Sequence, residues 1–434
     1  MKGESIALRA AGMWSGDALV EDVLVSIEGD RISGVFGTRG GEEVFEVTPG
    51  SRAGKVGPEG ITCDDGWRTV DLGESYLLPG LIDCHVHTVF SGDGSDIHRG
   101  LAPDRSTLML RAAENARLSL NSGVTTIVDV GAPGEVIFPL SRAIDEGVIR
   151  ASRIIAAGPP VTITGGHLWP MGGEADTVDE VVTMVRRLMR DGAGILKVMG
   201  TGGGTPGTNS FVPVYGEDAL SAIVAEARRL NRRTLIHSGA TAATRAAVRA
   251  GFDVIFHGHF HRSDGTLSYD EGVVSEMVEA GTRLNPTLWV NRVLGEVARR
   301  EAEEGVRGAR EMAEYRESRY RAQAENVSRM FDAGVRPLMG SDSGWGHVGF
   351  SDGLFRELKS AAELGFSAST LLDLVTRGAA EFLGRSDLGE IVPGATADIV
   401  ASPGRPWEHI EEVSTINFVM MEGEVYRSPF DEGR

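Results

Sequence analysis

Cysteine is almost missing from this 434-residue chain, which has only Cys63 and Cys84. So few thiols build no disulfide framework, and Cys84 lies in an apolar run that suits a small buried side chain. A reducing, cytoplasmic setting is the expectation. Long hydrophobic runs are lacking too. No stretch nears the roughly 20 apolar residues of a spanning helix, and Met1-Lys2-Gly3-Glu4-Ser5 opens no signal-peptide core. Positive charge is in deficit, with 43 Lys and Arg against 62 Asp and Glu, a formal −19. Nucleic acid and anionic membrane are therefore excluded as expected partners, since both would be repelled. A small anionic substrate is not excluded, because a local field can oppose the global one. Finally, no Gly-x-Gly-x-x-Gly follows the first central strand, which weakens a nucleotide-binding reading.

What is present divides the chain in three. The length exceeds one simple core and suits a large barrel with an accessory domain. Near the start, β-type runs occupy 5–11, 18–28, 31–36 and 69–72; near the end they occupy 398–401, 413–421 and 424–426. Neither piece has the apolar content of a core by itself, so residues 1–76 and 387–434 are expected to pair into one small β-sandwich. The Gly-rich, charged stretch 37–66 reads as a surface loop or insertion.

Residues 77–386 behave differently. Strand-like runs at 81–87, 125–130, 153–157, 194–199, 233–237, 253–257, 282–287 and 336–339 alternate with amphipathic stretches such as 107–122, 178–191, 217–230, 240–250 and 269–280. Eight alternations predict an α/β fold, a closed (β/α)8 TIM barrel. The charged stretch 296–329 reads as a helical solvated face or lid. Gly202-Gly203-Gly204-Thr205-Pro206-Gly207 lacks a P-loop lysine and reads as an active-site loop.

Chemistry in such a barrel sits where strands end. His85 and His87 stand one residue apart at the first strand end, so alternation puts both imidazoles on one face. Lys197, His237, His257 and Asp342 close the fourth, fifth, sixth and eighth runs, each just before a glycine-bearing turn. A single strand-end histidine is usually a satisfied core residue, and an Asp before Ser-Gly is usually a turn former. Six such residues at matching positions argue for a metal site.

These residues, with Leu78-Pro79-Gly80, Thr164-Gly165-Gly166-His167, Gly340-Ser341-Asp342-Ser343-Gly344 and the stretch from Leu388 to Val400, resemble the amidohydrolase superfamily. They look most like its imidazolonepropionase-related and Xaa-Pro-dipeptidase-like branch. The resemblance implies two divalent metal ions, zinc first among the candidates. It assigns His85, His87 and Asp342 to one ion and His237 and His257 to the other, with Lys197 bridging as a carbamate formed from carbon dioxide. It further implies hydrolysis of an amide or peptide-like C–N bond, Asp342 acting as general base and then acid. His167 reads either as a donor to the oxyanion or as a loop histidine bonded to backbone. Homo-oligomers are common in the family.

Tyr215, Arg262 and His347 are the expected substrate contacts. The substrate itself stays open among N-acyl amino acids, dipeptides, carbamates, lactones and natural-product amides. The competing enzyme reading is a mononuclear deaminase, cyclic-amide hydrolase or lactonase. Deaminases of the superfamily carry a Glu three residues after the strand-5 histidine, where this chain has Ala240. A non-catalytic barrel scaffold is the third reading, disfavoured because all six ligand candidates are present.

Overall fold

A computed structural model describes residues 5–16, 18–48, 55–57, 60–62 and 67–430. Its strands are β1 (Ser5–Trp14), β2 (Leu19–Glu28), β3 (Arg31–Arg39), β4 (Glu42–Val47), β5 (Lys55–Gly57), β6 (Gly60–Thr62), β7 (Arg68–Asp71), β8 (Tyr76–Pro79), β9 (Leu81–Val86), β10 (Val124–Asp129), β11 (Arg153–Ala156), β12 (Leu196–Met199), β13 (Thr234–Ala240), β14 (Val254–His261), β15 (Arg283–Asn285), β16 (Ile399–Ser402), β17 (Phe418–Met421) and β18 (Glu424–Arg427). The helices that bear on the site are α1 (Ile97–Leu101), α2 (Arg105–Asn121), α3 (Gly134–Asp145), α4 (Val178–Asp191), α5 (Glu217–Arg229), α6 (Thr241–Ala250), α7 (Glu271–Ala280), α8 (Leu288–Glu303), α9 (Ala309–Asp332) and α10 (Gly353–Ala362).

Two compact units emerge. One comprises Met1–Ile82, Leu118–Thr126 and Gly365–Arg434; the other comprises Asp83–Arg117 and Ile127–Leu364. In the first, one nine-stranded sheet runs β18-β17-β16-β8-β1-β2-β3-β4, with β7 alongside β1. Both chain ends thus share a sheet, because β8 pairs parallel with β1 and antiparallel with β16. Among the described residues hydrogen bonds join all nine strands. Ile6, Leu8, Val25, Ile27, Leu77, Ile399 and Phe418 form its core, and Trp14 stacks on Trp407 with centroids 5.4 Å apart. The loop expected over 37–66 is in part strand: β4 pairs antiparallel with β3, and β5 with β6. Cys63 lies outside the described residues.

The second unit alternates strand and helix. Parallel strands β12-β13-β14-β15 form one sheet, and β11-β10-β9 order a second. Short bridges extend them: Val161 pairs with Val198, Leu284 with Pro337, and Val86 with Ser343. The eighth run, 336–339, is not a regular strand. Pro337 has no N–H to give a ladder, so pairing there is reduced to separate bonds: Leu338 N donates to Leu284 O at 2.9 Å, and Cys84 N to Met339 O at 3.2 Å. The helices start and stop where local chemistry dictates. α4 opens on a Thr177–Glu180 capping box and ends at Gly192 in the left-handed region. The charged stretch 296–329 is two helices, α8 and α9, because Gly305 and Gly308 turn the chain with φ of +81° and +80°. Among the described residues no helix is long and apolar enough to cross a membrane.

Candidate active site

His85 sits near the end of β9, His87 just past it, Lys197 in β12, His237 in β13 and His257 in β14. Asp342 follows the eighth run, and its amide donates to His85 O at 2.7 Å, tying the carboxylate to the first strand end. Gly340 makes that approach possible: a Cβ there would meet His85 Cβ at 2.6 Å. His257, Thr287 and Asp342 all adopt positive φ, of +74°, +48° and +61°. Such strained backbone in non-glycine residues clusters where function fixes side-chain aim.

The result is a dense, buried group of imidazoles. One ligand atom each from His85, His87 and Asp342 lies within 4.8 Å of the others, close enough to hold one metal ion. Asp342 Oδ1 is 3.3 Å from His85 Nε2 and 3.5 Å from His87 Nε2. The His237 and His257 rings lie 4.6 Å apart, and His167 is 4.8 Å from His237. Lys197, 1% exposed, holds Nζ 3.8 Å from the centre of the Phe256 ring.

Hydrogen bonds to the far side of each ring fix which nitrogen is free. A carbonyl only accepts, so His87 Nδ1, 3.2 Å from Gly131 O, carries the proton and leaves Nε2 as the lone pair. Asn285 donates through Nδ2 to Leu338 O, so its Oδ1 accepts from His85 Nδ1 at 2.8 Å. His85 Nε2 is consequently a buried acceptor with no hydrogen-bond partner among the described residues. His237 is reversed: Nε2 donates to Gly202 O at 3.0 Å and Nδ1 is free. Burial, reinforced by positive charge on Lys197, holds His87 and His167 down to about 3, and His85 well below its ordinary value. Neutral rings with oriented lone pairs, one of them orphaned, suit a cation. The same burial lowers Lys197 and raises Asp342, each partly opposed by the other's charge.

His87, His167, Lys197, His237, His257 and Asp342 border a cavity of about 360 Å³, together with Gly203, Gly204 and Trp345. The glycine-rich loop packs on His167: Thr205 Oγ1 lies 2.8 Å from Nδ1, and a Cβ on Gly203 would meet Nε2 at 2.4 Å. The three expected substrate contacts sit elsewhere. Tyr215 is buried with its hydroxyl donated to Ala175 O at 2.7 Å. Arg262 is exposed in a tight turn closed by Gly265 N on Arg262 O. His347 packs behind Gly94 rather than on the cavity wall. The wall instead includes Asn291 and Leu294 of α8, Arg316 and Arg319 of α9, and His259 and His261 of β14. No composition or spacing signal marks the two arginines; only their i,i+3 separation hints at a shared face.

The model of the amidohydrolase family matches residues 76–426. The chain belongs to that family. It is a metal-dependent hydrolase of carbon–nitrogen bonds. Ochratoxinase from Aspergillus niger is 27% identical over 395 residues, covering 81% of this chain and 76% of that protein. An imidazolonepropionase from Streptomyces avermitilis is 24% identical over 404 residues, covering 88% of this chain and 80% of the other. A solved Xaa-Pro dipeptidase with bound methionine shares the fold, with a TM-score of 0.80, 24% identity and coverage of 98% of this chain and 100% of that one.

Proposed function

We propose that this amidohydrolase cleaves an amide or peptide-like C–N bond of a small molecule at a centre for two divalent ions. The observation that carries the reading is the convergence of His85, His87 and Asp342, with an unpaired lone pair on His85 aimed into the group. These three residues would hold one ion, and His237 and His257 the other. Lys197 would serve both as a carbamate: its neutral amine adds carbon dioxide and releases a proton, and the new carboxylate supplies two oxygens. Burial that lowers the lysine supports the neutral amine. Zinc is the ion of first choice for mixed imidazole and oxygen donors. Once bound, the ions supply Lewis acidity to the scissile carbonyl and lower the pKa of water.

The chain's own groups do the rest. Asp342 accepts the proton of the attacking water and returns it to the leaving nitrogen. His167, held by Thr205, donates to the oxygen that becomes negative. The fold that carries these groups is read as a closed (β/α)8 barrel within 77–386, flanked by the paired ends 1–76 and 387–434. In support, hydrogen bonds link the eighth run to β15 on one side and β9 on the other.

Metal analysis with a substrate panel tests the reading. About two ions per chain, and turnover of a member among N-acyl amino acids, dipeptides, carbamates and lactones, are expected. One ion would favour the mononuclear alternative, and none with no turnover would favour a scaffold.

A further inference from the structure

Helix α9 carries five arginines, and three of them are paired with carboxylates: Arg310 with Glu314, Arg321 with Glu317 and Arg329 with Glu271. Arg316 and Arg319 are the two on the cavity wall, and among the described residues neither has a carboxylate within ion-pair distance. Arg316 is half-buried, and among the described residues its side chain makes no hydrogen bond; burial pulls its guanidinium below the ordinary arginine range. Arg319 is aimed rather than neutralised. It donates to Tyr315 Oη at 3.2 Å and to His261 Nε2 at 2.7 Å. His261 can accept because its other nitrogen, Nδ1, donates to Gly265 O at 3.2 Å. Two adjacent, partly desolvated guanidiniums with no counter-charge are costly unless a ligand supplies one.

Their distance from the ligand cluster is set by a row of rings. His257 and His259 stack at 5.8 Å, His259 and His261 lie 5.7 Å apart, and Arg319 bonds the last of them. Two ring steps span at most roughly three residues of extended chain. Among the described residues the only acidic side chain on the cavity wall, Asp342, belongs to the far group.

We propose that Arg316 and Arg319 form an anion subsite that receives a carboxylate carried by the substrate several bonds away from its scissile amide. This rests on reading the cavity as the substrate site, and it narrows the substrate class to amides with a distal carboxylate. Guanidinium pairs suit that task because their planar forks match a carboxylate's two oxygens. The strongly acidic surface is no obstacle, since the wall carries two arginines and Lys197 against one aspartate.

The test is calorimetric binding to the metal-loaded full chain. The probes are N-benzoyl derivatives of glycine, aminobutyrate, aminohexanoate and aminooctanoate, each beside its own carboxamide. Suberic acid monoanilide and its carboxamide place the acid on the acyl side instead, which tells the two substrate halves apart. The longer acids on one side or the other should bind at least about tenfold tighter than their carboxamides. In Arg316→Gln/Arg319→Gln that preference should vanish, with acid and carboxamide binding alike and metal content retained. Equal binding of acid and carboxamide at every length overturns the proposal, as does a preference greatest for the glycine derivative, a preference that survives in the double variant, or no acid binding at millimolar concentration. The wild-type comparison needs no variant to fold. Binding is read without turnover, so loss of the hydrolase reading and loss of the subsite are separate outcomes.

Discussion

Nε2 of His85 lies 3.3 Å from Oδ1 of Asp342, buried, and makes no hydrogen bond among the described residues. A lone pair facing a carboxylate without a proton between them is an arrangement that a cation relieves. Replacing Asp342 by Asn keeps the shape, removes the charge and removes the proton acceptor. Turnover should fall by about 10²–10⁴-fold, with the fold intact by circular dichroism. Retention of more than a tenth of wild-type kcat/KM would remove Asp342 from the chemistry.

Lys197→Ala takes away the proposed bridge. Metal content should drop from about two ions per chain to one or fewer, and turnover should nearly vanish. Mass spectrometry of the intact wild type adds an independent readout, an added carbon dioxide on Lys197 that the variant lacks. Full activity in Lys197→Ala would refute the bridging role.

Asn285 touches no substrate in this scheme, yet it sets the tautomer of His85 while anchoring itself on Leu338 O at 2.8 Å. Asn285→Leu should weaken metal binding about 10–100-fold, measured by titrating metal into the stripped protein. An unchanged affinity would show that the His85 ring is held by packing alone.

The start of α8 offers a pH test. Glu357 of α10 accepts from the amides of Leu288 and Trp289 at 2.9 and 2.7 Å, next to Thr287, whose hydroxyl lies 2.7 Å from His257 Nδ1. Burial pushes Glu357 up to about 8, against the two amides that favour its ionised form. The folded state then holds a proton that the unfolded chain releases near the ordinary glutamate value. This contribution to stability is present at low pH and is lost as pH rises from about 4.5 to about 8. Glu357→Gln cannot ionise, so its cost relative to wild type should shrink by about 2 kcal/mol or more between about pH 5 and about pH 8.5. Urea unfolding at the two pH values checks it, and a constant difference would show that Glu357 stays ionised throughout.

Much of this was legible before the coordinates. The alternation of β-type and amphipathic runs located β9 to β15 because buried parallel strands and half-buried helices carry different periods. Of the metal-ligand candidates, His85, His87 and Asp342 come together as one group at the end of β9 and just past the eighth run, while Lys197, His237 and His257 lie within β12, β13 and β14. Two kinds of fact were not legible. The eighth run has strand-like residues, but Pro337 and the left-handed Asp342 break its ladder, a conflict that a propensity reading misses. Among the described residues Tyr215, Arg262 and His347 do not border the cavity. Which way a loop or helix residue points depends on packing, and α9 delivers Arg316 and Arg319 to the wall from over a hundred positions beyond Lys197.

The place of β8 between β1 and β16 has a consequence for biosynthesis. During translation, residues 76–79 emerge long before residues 399–402, so one side of β8 must wait for its partner while most of the chain is made. That waiting edge carries Leu77 and Leu78, both fully buried once the sheet is complete. An apolar strand with open amides is a template for pairing with other chains. Premature termination before β16 should therefore yield a sticky product rather than a smaller working enzyme, and chaperone demand during synthesis should be set by this one gap in the sheet.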